Sequence, residues 1–288
     1  MKTIHLLLFL SLSLLVVNDL PARKSCKETK QLLRQSIEAT RSIPFSGTMD
    51  FHRKEGEKDW HTKAQVIRFP SGEKWMKFLY PKALQNIILF QNDQGFWGTP
   101  MDRDERKQLD KNENVDTEIF KRAFYHKSII HLLEPDNVDL LIKNYHIKTG
   151  KDEKIAHRPT EKLILGQRDK NRPLAKIWID RETHMQLKYQ RFSWKKEFKE
   201  SFTFCDIDFS INFKERKPST EGLNNFFSTS KEEKKEIELD FTPYKPKCLP
   251  TGFEEINQNK WEGRHGKTLH IVYSDGLAHL SIFQRRQT

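Results

Sequence analysis

From Phe45 onward the chain is a succession of short aromatic and β-branched runs, each cut off by turn residues. That pattern constrains the fold more than any other feature. "FSGTMDFHR", "WHTKAQVIRF", "EKWMKFLY", "NIILF" and "GFWGT" read as four or five strands, separated at Glu55-Gly56, Pro70-Ser71-Gly72, Pro81 and Asn92-Asp93-Gln94-Gly95. Strands this close in sequence form an antiparallel meander. Alternation puts Phe45, Gly47, Met49 and Phe51 on one face and Ser46, Thr48, Asp50 and His52 on the other, so one side is wetter.

The pattern resumes with "LLIKNYHIKTG", "RPTEKLILGQ", "PLAKIWID", "MQLKYQRFSW" and "FKESFTFCDIDFSINF", with turns at 168–173 and 180–184. Two helical segments punctuate the strands. In "CKETKQLLRQSIEATR", Leu32, Leu33, Ile37 and Ala39 recur at helical spacing until Pro44. After the polar connection Met101–Asn114, the residues Ile119, Phe120, Ala123, Phe124, Ile130 and Leu133 mark a second helix, ended by Glu134-Pro135. Beyond Phe213 the composition shifts to a charged, Ser/Asn-rich stretch that suits a linker. "IELDFTPY", "CLPTGFEEINQ", "KTLHIVYS" and "LAHLSIFQ" then read as strands again. In the last hairpin Ser274-Asp275-Gly276 is the turn, Gly276 supplies a positive φ, and the flanking strands need cover from the large domain or from a partner.

The N-terminus reads as a secretory signal: Lys2, then the apolar run Leu6–Val17, too short to span a bilayer, with cleavage after Ala22. Cys26 follows Arg-Lys-Ser, not the small and apolar residues of a lipoprotein signal. Export permits one disulfide among Cys26, Cys205 and Cys248; a Cys205–Cys248 bridge and free thiols both remain open. Lys+Arg exceed Asp+Glu, 51 against 40. The excess favours phosphates, lipid headgroups or an acidic protein face, or is simply a solvated basic surface.

No phosphate-binding glycine loop, dinucleotide fingerprint, His-Glu-x-x-His or nucleophile elbow is present. His126 and His131 are five apart, about 140° around a helix, and cannot share a metal there. Asp206 and Asp208 share one face of a strand without a third partner, and "YQRFSWKKEFK" is an ordinary amphipathic strand rather than a nucleic-acid platform. The reading is therefore of a non-enzyme without cofactor, metal or nucleic acid. What stands out is aromatic abundance. Trp75, Phe78, Phe90, Trp97, Trp178, Tyr189, Phe202 and Phe204 are the candidate lining of an apolar cavity in a curved sheet. Each acyl methylene buried there would contribute about 0.8 kcal/mol.

Taken in order, the segments resemble the RseB/MucB family of periplasmic regulators of the sigma-E envelope-stress pathway, whose first domain has the fold of the LolA and LolB carriers. "FSGTMDF" resembles its opening strand, "KIAHRPTEKLIL" a central segment, "KIWIDRETHMQLKYQ" its Trp-x-Asp turn strand, and "LPTGFE" with "YSDGL" its second domain. His157-Arg158 stands where relatives usually carry Gly-Arg. The resemblance implies an α+β protein: signal peptide 1–22, a LolA-like antiparallel half-barrel with helices in its concavity over 23–213, linker 214–236, and a short, mostly-β domain over 237–288. It also implies a function, negative regulation of an extracytoplasmic sigma factor. The partners would be the periplasmic domain of a membrane-spanning anti-sigma factor and lipid or lipopolysaccharide acyl chains, with self-association left open. Tyr273, Ser274, Asp275 and Gly276 are the candidate protein contacts. The alternative is a lipid or lipoprotein carrier of the LolA/LolB type.

Overall fold

The structure is a computed structural model that describes residues 25–101, 104, 105, 107, 108, 112, 138–168, 174–213, 221–228, 237–263 and 266–286. The expected signal peptide and the expected helix at 119–133 lie outside the described residues. Helix α1 (Cys26–Ser42) starts at a capping box: the Ser25 side chain accepts from the Glu28 backbone N–H and the Glu28 carboxylate accepts from the Ser25 N–H. Strands β1 (Phe45–Glu55), β2 (Lys58–Arg68), β3 (Lys74–Tyr80), β4 (Ile88–Gln91) and β5 (Gly95–Gly98) form the meander. A short helix α2 (Val138–Asn144) leads into β6 (Tyr145–Thr149), then β7 (Glu153–Ile155), β8 (Arg158–Gln167), β9 (Leu174–Asp180), β10 (Gln186–Phe192) and β11 (Phe198–Asp208). Strand β12 (Asn224–Ser228) precedes β13 (Glu254–Gly263), β14 (Gly266–Ser274) and β15 (His279–Arg285).

Twelve strands make one antiparallel sheet in the order β12-β5-β4-β3-β2-β1-β11-β10-β9-β8-β6, with β7 also on β8. Among the described residues its two edge strands do not pair with each other, so the sheet is open, the α+β half-barrel that the resemblance implied. The central pair joins the first strand to the eleventh, and it explains "FSGTMDF": a Cβ at Gly47 would sit 2.6 Å from the Asp206 carbonyl and 3.1 Å from the Phe204 ring. Next to it Cys205 is the extra residue of a bulge, since Thr48 faces Asp206 while Met49 faces Phe204.

Register divides the sheet into two faces. Phe51, Phe202, Tyr189, Ile177 and Leu163 form one row across five strands. On this inner face α1 lays Leu32, Leu33 and Ile37 against Leu163, Leu165, Ala175, Ile177 and Ile179. A second cluster gathers Phe45, Met49, Ala64, Val66, Phe78 and Phe204, and Tyr189 packs against both.

Three expectations change. Leu140–Asn144, read as the start of a strand, belongs to α2, with Leu140, Leu141 and Asn144 buried at helical spacing. Residues 224–228, inside the stretch read as linker, pair with β5 as an edge strand. "IELDFTPY" enters no ladder: Leu239 and Phe241 pack under the second sheet, β13-β14-β15, while Pro243, Pro246 and Pro250 lack the N–H a strand needs.

Candidate functional site

The turn after β14 is where the two sheets meet. Asp275 folds the chain back by accepting from the N–H groups of Leu277 (3.0 Å) and Ala278 (2.8 Å) through Oδ1. Its other oxygen accepts from the Tyr145 hydroxyl at 2.7 Å. One amide nitrogen, Nδ2 of Asn144, donates to the carbonyls of both Gly252 and Asp275 at 2.9 Å. Lys143 pairs with Glu254 at the rim. Leu277 inserts among Leu32, Leu33 and Leu141 in the first sheet's core. Gly276 lies at φ +100, and a Cβ there would meet the Leu141 backbone nitrogen at 2.5 Å. The turn therefore admits only glycine, for both its φ and its neighbour.

Tyr273, Ser274, Asp275 and Gly276, the candidate protein contacts, are thus all buried at rest, with Ser274 and Asp275 at 0% exposure. The cover that the hairpin needs comes from the large domain. Asn144 and Tyr145, which complete this contact, were missed from sequence: Asn144 because α2 was read as strand, and Tyr145 because its partner lies 130 residues further along the chain.

The eight aromatic candidates divide evenly between the two faces. Phe78, Tyr189, Phe202 and Phe204 share the inner face, where Phe78, Phe202 and Phe204 are buried. Trp75, Phe90 and Trp97 form a row of their own on the opposite face, with the Phe90 and Trp97 rings 5.6 Å apart. Trp178 is opposite Lys162 and Lys188, whose ammonium groups lie 4.5 and 4.6 Å from its ring. That puts it on the face away from Ile177 and Tyr189.

At the open end of the inner face stand three cations: Arg41 in the last turn of α1, Arg68 ending β2, and Lys74 opposite it in β3. Burial, then the charges of Arg68 and Arg41, bring the Lys74 pKa down to about 8. Burial, then Arg41, lowers that of Arg68 as well.

Asp180, in the "WIDRETH" turn, is fully buried. It accepts from Arg158 through both oxygens (2.7 and 3.1 Å) and from the backbone N–H groups of Glu182 and Thr183. Burial works to raise its pKa, but Arg158 and Thr183 together hold it below the ordinary range. The preceding Ala156 and His157 take φ +49 and +63. His157 therefore adopts the left-handed backbone that a glycine in its place would take freely. Asp206 and Asp208 bind backbone: Asp206 accepts from the Thr48 N–H and Asp208 from the Ser210 N–H. The three cysteines are free and exposed.

The second sheet leaves one face open. Trp261 and Phe283 are 39% and 58% exposed. Between them His270 stacks on Phe283, centroids 4.2 Å apart, and burial lowers its pKa. Among the described residues no helix is long and apolar enough to cross a membrane.

None of the curated proteins matches this sequence. Among solved structures, the fold is similar to a Pseudomonas aeruginosa MucA/MucB complex chain, with 15% identity, 89% of this chain and 79% of that chain covered, and a TM-score of 0.59. It is also similar to MucB alone (17%, 89% and 79%, 0.53) and to MucB in complex with periplasmic MucA (17%, 88% and 78%, 0.58). At these identities the likeness is one of fold. Residues 110–221 match the MucB/RseB N-terminal domain.

Proposed function

We propose that this chain is an exported, non-enzymatic regulator that binds the periplasmic part of a membrane-spanning anti-sigma factor and so restrains an envelope-stress sigma factor. One observation supports this above the others: the likeness of fold extends over 89% of the chain, through both sheets, to MucB captured with MucA. A carrier reading would draw on the first sheet alone. The surface we favour for the partner is the exposed face of the second sheet, because Tyr273–Gly276 are already buried, Asp275 and Gly276 of them against α2 and β6. Trp261 and Phe283 are the kind of exposed aromatic anchors that dominate protein contacts.

The signal in this reading is lipid or lipopolysaccharide. Acyl chains would enter the inner face at Phe78, Tyr189, Phe202 and Phe204, and Arg41, Arg68 and Lys74 would hold the headgroup phosphate. The deciding experiment is cross-linking in intact cells followed by recovery of the full chain. Retrieval of one inner-membrane protein, reduced about tenfold or more by Trp261→Ala with Phe283→Ala, supports the proposal. Recovery of many lipoproteins and acyl chains without an inner-membrane protein would replace it with a carrier.

A further inference from the structure

The β1–β2 hairpin closes through a two-residue loop, with Glu55 opposite Lys58. Gly56 has φ +61 at the first central position, where a type II′ turn requires it. That loop fixes the register behind it: His52 stands directly across from His61, and Asp59, two residues before His61, shares their face. This is the outer face, away from the core. The two imidazoles stack with centroids 4.0 Å apart and planes 17° from parallel, and Phe198 packs on His52 at 4.5 Å. Both Nε2 atoms converge on a single oxygen, Oδ1 of Asp59, with His52 in hydrogen-bond contact and His61 at 3.7 Å. The three ligand atoms lie within 4.8 Å of one another.

We propose that His52, Asp59 and His61 form a binding site for a first-row divalent transition ion of the Zn2+ class. Two imidazole nitrogens and one carboxylate oxygen suit such an ion, whereas Ca2+ and Mg2+ call for oxygen donors throughout. Bonds of about 2.0–2.2 Å place ligand atoms about 3–3.5 Å apart, so the His52–Asp59 contact opens slightly while His61 closes in. The side chains are 27%, 45% and 52% exposed, which leaves room for that adjustment and for water in the remaining coordination positions. The convergence of both Nε2 atoms on one carboxylate oxygen puts all three donors around a single point. Lys54 lies across from Asp59 and is the one cationic residue the pairing sets directly opposite these ligands, so the site rests on ligand chemistry rather than on a general negative field.

The absence of a metal site expected from sequence rested on helical His126 and His131. The signal that finds this one is the turn: a two-residue loop at 56–57 pairs position 52 with 61.

The test is isothermal titration of the chelator-stripped full chain with ZnCl2, MgCl2 serving as the control. It is run on the wild type, on a thiol-free Cys26→Ser/Cys205→Ser/Cys248→Ser chain, and on the thiol-free chain with His61→Asn or Asp59→Asn. One equivalent of Zn2+ bound by the thiol-free chain, weakened at least about tenfold by either further substitution, is the expected result. Metal-free melting curves for the variants, which alter exposed side chains only, verify that each is folded. Zn2+ binding that disappears with the thiols, or that survives His61→Asn unchanged, overturns the proposal, as does equal binding of Mg2+.

Discussion

Two turns in this molecule are built alike and used differently. Asp180 and Asp275 are both fully buried, and each accepts through Oδ1 from the backbone N–H groups two and three residues on. The difference lies in what holds the second oxygen. For Asp180 it is the Arg158 guanidinium, a charge from the neighbouring β7–β8 hairpin of the same sheet. For Asp275 it is the neutral Tyr145 hydroxyl, from the other sheet. An ion pair welds the first turn within one body. A hydrogen bond from a neutral hydroxyl, an amide hydrogen bond from Asn144, a glycine contact and one inserted leucine join the second turn across the two sheets.

The comparison can be broken in order of expected effect. Asp180→Ala leaves Arg158, a quarter exposed, with the Phe209 ring and the exposed Glu182, and should cost about 3 kcal/mol in urea unfolding, the low end for removing one member of a buried pair. A loss under about 1 kcal/mol would mean that the guanidinium is solvated without it. Gly276→Ala must move the Leu141 backbone or strain φ, and should cost about 2–3 kcal/mol. Its signature is local: proteolysis should begin to cut between the sheets, at 237–253, while the twelve-stranded sheet stays protected. If the whole molecule melts as one unit, the junction is not the weaker body. Tyr145→Phe removes one hydroxyl bond to a buried carboxylate and should cost about 1.5–3 kcal/mol.

The smallest effect is on pH dependence. Asp180 is held below its unfolded value, so its contribution is complete above about pH 4 and is lost as pH falls through the folded pKa. Asp180→Asn should therefore flatten the acid limb of the stability curve below about pH 4. An unchanged limb would mean that other carboxylates dominate acid unfolding.

Much of this was legible before the structure. Gly56, Pro70-Ser71-Gly72 and Asn92–Gly95 punctuate the meander correctly, and Leu32, Leu33 and Ile37 do form the buried stripe of α1. The split of the aromatic candidates was also partly legible. Trp75 and Phe78 are three apart in one strand, so a period of two already denies them a common face. Other features were not: "LLIKN" is apolar enough for a strand or for a helix, and its packing beneath Leu277, far along the chain, decided for helix. "IELDFTPY" carries strand residues, yet Pro243 and the packing of Leu239 and Phe241 under the second sheet keep it out of a ladder.

By itself the sequence determined the local devices: turns, the helix stripe, alternation, and the glycine at Ser274-Asp275-Gly276, because each depends on backbone sterics over a few residues. Only the tertiary structure decided which side chains those devices bring together. The first strand pairs with the eleventh, the "YSDGL" turn is covered by α2, and His61 is brought against His52 and Asp59. The physical reason is that these are contacts between segments whose local patterns tolerate many partners, and burial of the whole apolar surface selects one arrangement among them.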